Sequence, residues 1–459
     1  MKNLLIYPEL KELIKAEDWN TFKEICEELH PAEIAELISV VEPQEVWKFL
    51  ENLDLARRTE IFIHLDLDLQ TEIAEILDRK KLAELLTEMP ADDRVDLFKK
   101  FPEEKQELIL PALAQAERED IRRLASYPER SAGSIMTSEY VSIPEDITVA
   151  EAINRIRLEA PQKETIYYSY IINNKRQLIG FVSITDLILA NPGSLVKDVM
   201  HEEIIYANVD EDQETVARKI QMYDLIALPV INGNNVLVGI ITHDDALDVI
   251  TQEHTEDMEK LMAIAGSHEA GVYLKTSSLK HFKNRSVWII SLAALGLVSG
   301  MIIHSFENTL SNLMILALYM PMVADTGGNT GSQSATVVVR ALALREISFA
   351  DVLKVLWKEF KISVLLAAVL GILSYIKVLF LSANSEIPLG FSLQKIGFVI
   401  GLALSLQVIT ATLIGAILPL IASKFKLDPA VVASPALTTV VDITGLLIYF
   451  TTAKILLGI

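Results

Sequence analysis

The spacing of apolar residues changes along the chain and first indicates a helical N-terminal region. Over residues 1 to about 130, apolar positions recur at i, i+3 and i+4 in short segments, with Pro or acidic residues near their starts. This spacing predicts short amphipathic helices, and their repeated succession predicts a small helical superhelix. We therefore expect residues 1–130 to form an acidic, all-α domain.

A different pattern follows, in which two similar units succeed each other over about 132–192 and 195–252. Each unit has a short β-rich segment, an amphipathic helix, two further β-rich segments around a polar turn, and a closing helix. This order of elements and the similar ends of the units resemble a tandem of CBS domains. The resemblance implies an α/β domain pair over residues 131–252.

The last part of the chain contains five strongly apolar stretches. Each is near the roughly 20 residues that a helix needs to cross a bilayer. They lie at about 286–305, 310–338, 362–382, 396–422 and 430–457. We expect residues 283–459 to form a five-helix α transmembrane domain, joined to the CBS-like pair by one long acidic helix over 253–282.

Loop charges predict how this domain is oriented. Most of the basic residues in and around the apolar stretches lie on one side of the predicted spans, and only Lys377, Lys395 and Lys454 lie on or towards the other. Loops rich in Lys and Arg face the cytosol. The sequence therefore predicts a multi-pass protein of the cell membrane, with a cytosolic N-terminus and an external C-terminus.

The net charge of -21 is concentrated before the apolar stretches. Residues 281–459 hold 12 basic and 8 acidic residues, and the preceding residues hold 29 and 54. Such an acidic body would repel phosphates, so a nucleic-acid partner is disfavoured. Divalent cations are natural counter-ions for these carboxylates, although an ordinary solvated acidic surface is the alternative. Cys26 is the only cysteine, which excludes an intrachain disulfide and suits a reducing compartment.

A polar stripe interrupts the second apolar stretch. Asp325, Asn329 and Gln333 are spaced i, i+4, i+8, so on a helix they share one face. Glycines beside them, such as Gly327 and Gly328, let another backbone approach closely or let the helix open locally. An apolar span tolerates this stripe only where it faces protein or water. The stripe predicts the lining of a transport pathway.

The last apolar stretch carries a second polar stripe. Ser434, Thr438 and Asp442 again lie at i, i+4, i+8. A carboxylate among lipid-facing residues is costly, so it persists where it faces water, a partner or an ion. A structural Asp that caps a neighbouring helix or pairs with a basic residue is the alternative. Mg²⁺ suits one Asp with hydroxyls and amides because it keeps much of its water shell. Zn²⁺ and Cu⁺ would favour His or Cys.

Each CBS-like unit also ends with a candidate nucleotide motif. Gly180-x-x-Ser183-x-x-Asp186 and Gly239-x-x-Thr242-x-x-Asp245 resemble the family's motif, in which the hydroxyl faces phosphate and the Asp faces ribose. The alternative is a strand-to-helix turn whose hydroxyl caps the helix. The candidate nucleotide is ATP.

Over nearly its whole length, the chain resembles the MgtE family of magnesium channels or transporters. The resemblance rests on the order of parts and on two motifs, Pro321…Thr-Gly-Gly-Asn-Thr-Gly-Ser-Gln333 and Asp428-Pro…Asp442-x-x-Gly445. It implies a homodimer with a pore between the two chains, in which Asp442 selects the ion and Asp428 lies at the cytosolic mouth. The candidate pore ligands are Asp325, Asn329, Asp428, Thr438 and Asp442.

The resemblance also implies that the acidic connecting helix plugs the pore when cytosolic Mg²⁺ is bound. The matching sensor positions are Asp92 and Asp96 in the N-terminal domain, Glu214, Asp224, Asp245 and Asp248 in the second CBS unit, and Glu253, Glu256 and Asp257 on the connecting helix. Physical reasoning gives the same direction, because acidic faces repel one another until a cation screens them. High Mg²⁺ should therefore favour the closed state.

The leading hypothesis is thus a Mg²⁺-selective channel or transporter for Mg²⁺ uptake, gated shut by Mg²⁺. One alternative is a CBS-regulated transporter of another divalent cation, such as Co²⁺ or Mn²⁺. A membrane enzyme with a CBS sensor is a third possibility. The sequence has no His-Glu-x-x-His, Gly-x-Ser-x-Gly or P-loop motif, so we expect no enzymatic activity. A non-conducting Mg²⁺ sensor is disfavoured by the two polar stripes.

Overall fold

The computed structural model of the protein describes residues 19–264, 277–432 and 435–459. The chain divides into two compact units, one ending at Thr251 and the other beginning at Gln252. In the first unit, residues 19–125 form short helices that begin at Pro, Asp or other residues suited to a helix start. These helices are α1 (Trp19–Glu28), α2 (Pro31–Ile38), α3 (Pro43–Glu51), α4 (Leu55–Ile63), α5 (Leu67–Ile76), α6 (Arg79–Glu88), α7 (Ala91–Lys100), α8 (Glu103–Ile109) and α9 (Gln115–Ala125).

These helices form a superhelix, because from α2 to α9 each helix packs against the next but one. Their apolar faces meet in a continuous core that includes Phe49, Phe62 and Leu85. Carbonyls at the helix ends are also tied across turns, as where the Arg57 guanidinium donates to the carbonyls of Cys26 and Leu29, each at 2.6 Å. The predicted all-α superhelical region is confirmed.

Two CBS-like units complete the first unit of the chain. The first contains β1 (Ser142–Pro144), α10 (Val149–Glu159), β2 (Tyr168–Ile172), β3 (Leu178–Ser183) and α11 (Ile184–Leu189). The second contains β4 (Ala207–Asn208), α12 (Gln213–Met222), β5 (Ala227–Ile231), β6 (Leu237–Thr242) and α13 (His243–Leu261). In each sheet, the first strand is parallel to the second and the second is antiparallel to the third. The predicted α/β repeat is confirmed.

The second CBS-like unit shares its core with the helical superhelix. Val216, Ile220 and Ile241 belong to the same buried apolar cluster as Phe62 and Leu85. The first CBS-like unit has its own cluster around Ile143. The superhelix and the second CBS-like unit are therefore held together by apolar burial, which places α7 beside the start of α13.

The prediction of one helix over 253–282 is wrong in its described part. The helix begins at His243 and ends at Leu261. Ala263 then adopts a left-handed φ of 55°, and the Ile264 N–H donates to the Glu259 carbonyl at 2.9 Å. This arrangement closes a helix C-terminus and stops it from continuing. Residues 265–276 lie outside the described residues, and the next helix begins at Ser278.

Long helices dominate the second unit of the chain. They are α14 (Ser278–Ser305), α16 (Ile315–Ala343), α17 (Val352–Leu381), α18 (Leu393–Lys424) and α20 (Pro435–Leu457), with the short α15 (Glu307–Asn312) and α19 (Pro429–Val432) between them. Four helices of the described residues are long and apolar enough to cross a bilayer: Ser278–Ser305, Phe349–Leu381, Leu393–Lys424 and Ala436–Leu457.

The remaining predicted span corresponds to α16, which is 29 residues long but carries the polar stripe. Two predicted boundaries move. The stretch over 310–338 begins as a helix at Ile315, since α15 is a separate short helix. The stretch over 430–457 is helical in two pieces, α19 and α20, on either side of residues 433–434, which are not described.

Helix α18 is the centre of this helical unit. It packs against α16, α17 and α20 and buries residues along its whole length. Close backbone contact joins α16 and α18, because a Cβ added at Gly415 would lie 2.2 Å from the Gly331 carbonyl oxygen. Helix α14, in contrast, has no buried residue. The two helices that carry the polar stripes, α16 and α20, are thus held by a common central helix.

Candidate functional site

The predicted stripe on α16 is present and faces outward from the helical unit. Asp325, Asn329 and Gln333 are all exposed. The Asn329 side-chain amide donates to the Asp325 carboxylate across one turn, at 3.4 Å. On the inner side of the same helix, Gly327, Gly328 and Thr330 are buried. Helix α16 therefore presents polar groups on the face that its own neighbours leave open.

Asp442 lies against this helix at a glycine. A Cβ added at Gly328 would be 3.0 Å from the Thr438 methyl carbon and 3.8 Å from an Asp442 carboxylate oxygen. Asp442 and Thr438 are both partly exposed. The structure thus places Thr438 and Asp442 of the α20 stripe beside Gly328 of α16. Ser434, the third member of the second stripe, lies outside the described residues.

Asp428 is held by two interactions at the start of α19. One carboxylate oxygen accepts from the Ala430 N–H at 2.9 Å, and the other lies 2.8 Å from the Lys260 ammonium nitrogen. Lys260 also lies 2.8 Å from Glu256. Burial lowers the pKa of Lys260, but hydrogen bonds to Asp428 and Glu256 outweigh this effect and raise the pKa. Two predicted metal ligands, Glu256 and Asp428, are therefore bridged by a lysine that sequence reasoning missed.

A second cluster of carboxylates lies where α7 meets the start of α13. Burial is the main cause that raises the pKa of Asp93 to about 7, and repulsion from Asp245 is the next. Burial also raises the pKa of Asp245 to about 7. The pKa of Asp92 is raised by burial and by Asp245, and its Oδ1 atom is buried with no hydrogen-bond partner among the described residues. Glu164 and Asp244 add further negative charge.

Only some of the predicted sensor residues meet in this acidic cluster. Asp92 and Asp245 do, but Asp93, Asp244 and Glu164 were not predicted, because the sequence does not show which acidic residues come close together at the junction of α7 and α13. Among the other candidates, Glu214 forms an ion pair with Arg218, and Asp224 lies exposed in a left-handed turn with a φ of 50°.

Asp96 and Asp248 border this cluster, because Asp96 repels Asp93 and Asp244 repels Asp248, and the other sensor candidates belong to the other unit of the chain. Asp96 is exposed and lies 3.8 Å from Lys99. Burial and repulsion from Asp244 raise the pKa of Asp248. Glu253, Glu256 and Asp257 belong to the unit that begins at Gln252. Within the described ranges, no group of three or more His, Cys, Asp or Glu residues is arranged to hold a metal ion.

The first candidate nucleotide motif forms a helix cap at Ser183, and the second has a related contact. The Ser183 hydroxyl donates to the Asp186 carboxylate at 2.6 Å and accepts from the Asp186 N–H at 3.1 Å. Thr242 and Asp245 share a similar hydroxyl–carboxylate contact. His201 lies 3.2 Å from the same Asp186 oxygen. The capping alternative is thus present in the structure, and it fixes each carboxylate at the end of a strand.

A helical superhelix, a CBS pair and a helical region with a polar stripe define a multi-pass membrane protein with a large N-terminal body (residues 19–251). Family profiles agree with this class: the MgtE intracellular N domain matches residues 29–130, CBS domains match 132–193 and 196–252, and the divalent cation transporter profile MgtE matches 320–452.

Whole-chain relatives are consistent with these matches. The chain is 36% identical to the magnesium transporter MgtE of Thermus thermophilus over 98% of both chains. It is 35% identical to the magnesium transporter MgtE of Bacillus subtilis, over 94% of this chain and 92% of that protein. The chain therefore belongs to the MgtE family.

Two solved structures resemble the first unit of the chain. The soluble part of a magnesium transporter covers 55% of this chain and 99% of its own, with a TM-score of 0.51 and 30% identity. The cytosolic domain of the Mg²⁺ channel MgtE in complex with ATP covers 53% of this chain and 99% of its own, with a TM-score of 0.50 and 36% identity.

The acidic cluster predicts that, without divalent cations, raising the pH destabilises the junction of α7 and α13. Asp93 and Asp245 have a folded-state pKa of about 7 against an ordinary value of 3.8. Between these values the folded state holds more protons than the unfolded state, so stability falls as the pH rises from about 4 to about 7. Hydrogen–deuterium exchange of the α7 peptide in the full-length protein, corrected for the intrinsic pH dependence of exchange, should show decreasing protection through this window.

The variant Asp93→Asn should flatten this pH dependence, because it removes one of the titrating carboxylates. Asp210→Asn is the matched control, since Asp210 is an exposed carboxylate of the same unit. A profile that stays unchanged in Asp93→Asn, or that flattens equally in Asp210→Asn, would contradict the assignment.

Proposed function

We propose that this protein is a Mg²⁺-selective channel or transporter that mediates Mg²⁺ uptake across the cell membrane. The observation that carries the proposal is the approach of Asp442 and Thr438 on α20 to Gly328 on α16, one residue before Asn329. A carboxylate, a hydroxyl and an amide are thereby presented on adjoining helices. Family membership and relatives described as magnesium transporters support the same function.

The ligand chemistry favours a hydrated hard cation. Mg²⁺ gives up water reluctantly and binds proteins through one or two carboxylates, with waters filling the rest of its shell. Asp442 can contact the water molecules of such a shell directly. Thr438 and Asn329 offer further hydrogen-bonding groups to the same water molecules. Transport of another divalent cation, such as Co²⁺ or Mn²⁺, remains the alternative function, and competition during flux separates the two.

The exposed stripe on α16 supports a homodimer with the pathway between its subunits. Asp325, Asn329 and Gln333 are exposed on the outside of one protomer. Lipid cannot satisfy these groups, so in a membrane they must face water or protein. Two copies that face each other through these stripes would enclose a polar pathway. We place the N-terminus in the cytosol and the C-terminus outside, from the distribution of Lys and Arg.

Substitution of Asp442 tests the pathway. In proteoliposomes that contain a Mg²⁺ dye, Asp442→Asn should reduce Mg²⁺ influx by about 10-fold or more, because a neutral amide cannot offset the charge of the ion. Glu386→Gln is the control, since Glu386 is an exposed carboxylate in the loop between α17 and α18. Mg²⁺ influx through Asp442→Asn at the wild-type rate would reject the proposed pathway. In the wild type, inhibition of Mg²⁺ influx by Co²⁺ or Mn²⁺ at concentrations well below that of Mg²⁺ would favour the alternative.

We further propose that the N-terminal body regulates the pathway. In this proposal, cytosolic Mg²⁺ closes the pathway by binding to carboxylates of this regulatory body and of the adjoining part of α13. The mutual repulsion of Asp92, Asp93 and Asp245 supports this, because a bound cation would relieve it. The proposed sensor positions are Asp92, Asp96, Glu214, Asp224, Asp245, Asp248, Glu253, Glu256 and Asp257. Asp93, Asp244 and Glu164 join them from the structure. Since Lys260 already neutralises Glu256, that residue serves as a ligand only if the ammonium moves away.

The variant Asp245→Ala tests the proposed gate. Each bound Mg²⁺ favours the closed state only by the difference between its affinities for the closed and open states. Removal of a ligand lowers that difference, so the Mg²⁺ concentration that half-inhibits flux should rise by roughly 5-fold or more. Flux is measured while Mg²⁺ is varied on the face that bears the regulatory body. Asp210→Asn, in the same CBS-like unit, is the control. Half-inhibition at the wild-type concentration in Asp245→Ala would contradict the gate.

We also propose that the CBS pair binds a nucleotide such as ATP. Two observations support this: a relative's cytosolic domain has been solved in complex with ATP, and Ser183 and His201 hold the Asp186 carboxylate in a fixed position. A fixed carboxylate can accept hydrogen bonds from ribose hydroxyls. The proposed positions are Ser183, Asp186, Thr242 and Asp245.

Calorimetric titration of the full-length protein with ATP tests this proposal. Asp186→Asn should weaken binding by about 10-fold, because a hydrogen bond to a charged acceptor contributes roughly 1.5–3 kcal/mol. Asp146→Asn removes an exposed carboxylate of the same CBS-like unit and should bind as the wild type does. Equal affinities in all three proteins would place the nucleotide elsewhere, and no binding by the wild type would reject the proposal.

A further inference from the structure

A buried glutamine lies between the two helices that carry the polar stripes. Gln407 belongs to α18 and is 0% exposed. Its side-chain amide donates to the Val441 carbonyl of α20 at 2.8 Å, and its carbonyl accepts from the Thr410 hydroxyl at 3.4 Å. Val441 immediately precedes Asp442 in the chain. The Gln407 amide therefore holds the backbone one residue before Asp442, the proposed ion-selecting carboxylate.

Two glycines make room for this side chain. A Cβ added at Gly327 of α16 would lie 2.3 Å from the Gln407 amide nitrogen, and one added at Gly445 of α20 would lie 2.5 Å from it. These separations are far below van der Waals contact. Gly327 and Gly445 therefore accommodate Gln407, whereas Gly331 accommodates the backbone of α18.

The position of the glutamine has an energetic consequence. A buried amide without hydrogen bonds costs free energy, so Gln407 favours arrangements in which Val441 stays within reach. Its side chain also fills the space beside Gly327, one residue before Gly328. Gln407 therefore contacts α16 at Gly327, beside the glycine that meets Asp442. It also contacts α20 at Val441, beside Asp442 itself.

We propose that Gln407 is a positioning residue that sets the separation between the stripes of α16 and α20, and thereby the affinity and selectivity of the pathway for divalent cations. The inference rests on the proposed transport function. Gln407 is fully buried between the two helices, so its side chain cannot itself contact an ion in the pathway. It acts through the backbone that carries Asp442 and through the helix that carries Asn329.

The variant Gln407→Met tests the role of the amide. Methionine keeps the length and flexibility of the side chain but cannot donate to the Val441 carbonyl. Loss of a supporting contact behind an ion ligand typically reduces metal affinity by about 10- to 100-fold. We expect the half-saturating Mg²⁺ concentration for flux to rise by about 10-fold and the preference for Mg²⁺ over Co²⁺ to fall, with a much smaller change in maximal flux.

A control and a second variant separate positioning from general packing. Thr412→Val alters another buried polar residue of α18, whose hydroxyl donates to Val408 of the same helix, and should leave half-saturation and selectivity unchanged. Gly327→Ala retains the glutamine, but the added methyl group displaces its amide. This variant should therefore reproduce the rise in half-saturating Mg²⁺ concentration expected for Gln407→Met. Size-exclusion profiles and helical circular dichroism identify the variants that fold.

The outcomes distinguish this inference from the function on which it rests. If Asp442→Asn abolishes flux but folded Gln407→Met keeps wild-type half-saturation and selectivity, the positioning role is rejected and the pathway stands. An equal shift in Thr412→Val would also reject it. If Gln407→Met does not fold, Gly327→Ala decides by the same two readouts. If Asp442→Asn has no effect on flux, the pathway and the positioning role fail together.

Discussion

The helical unit of this protein depends on one constraint: a polar group in an apolar segment must face a partner, water or an ion. Gln407 is satisfied internally by the Val441 carbonyl. Asp442 is instead only partly covered, and Asn329 is exposed. The polar side chains of these helices therefore fall into two groups. One group fixes the helices to each other, and the other is presented outward, where water and a hydrated cation can reach it.

The same constraint takes a different form in the N-terminal body. Asp92, Asp93 and Asp245 are largely removed from water, and repulsion from neighbouring carboxylates adds to this effect, so the pKa of each is raised. Protonation or a cation would relieve this repulsion. Within the other unit of the chain, Asp428 and Glu256 show a different solution, because the Lys260 ammonium lies between them. The carboxylates beside Lys260 are held by ion pairs, whereas those of the acidic cluster are more readily protonated.

Local patterns predicted the parts of the fold whose cause is local. Apolar periodicity was sufficient for the superhelix and for the CBS-like repeat, and stripe spacing placed Asp325, Asn329 and Gln333 on one face of α16. The end of α13 was missed because it depends on the left-handed φ of Ala263, a non-glycine residue that gives no composition signal. Asp93 and Asp244 were missed because acidic runs look alike until the packing of α7 beside the second CBS-like unit shows which of their members come close together.

The roles of the glycines show most clearly what sequence alone could not supply. Gly327, Gly331 and Gly445 look equivalent in the sequence, yet two accommodate the side chain of Gln407 and one meets the backbone of α18. These contacts join residues that lie far apart in the chain, so no local pattern contains them. They also bind α16, α18 and α20 into one packed body, in which a shift of one helix displaces the amide of Gln407 and disturbs the others. Because packed interiors transmit such strain rather than absorb it, the distance between the two stripes is a property of all three helices, including α18, which carries neither stripe.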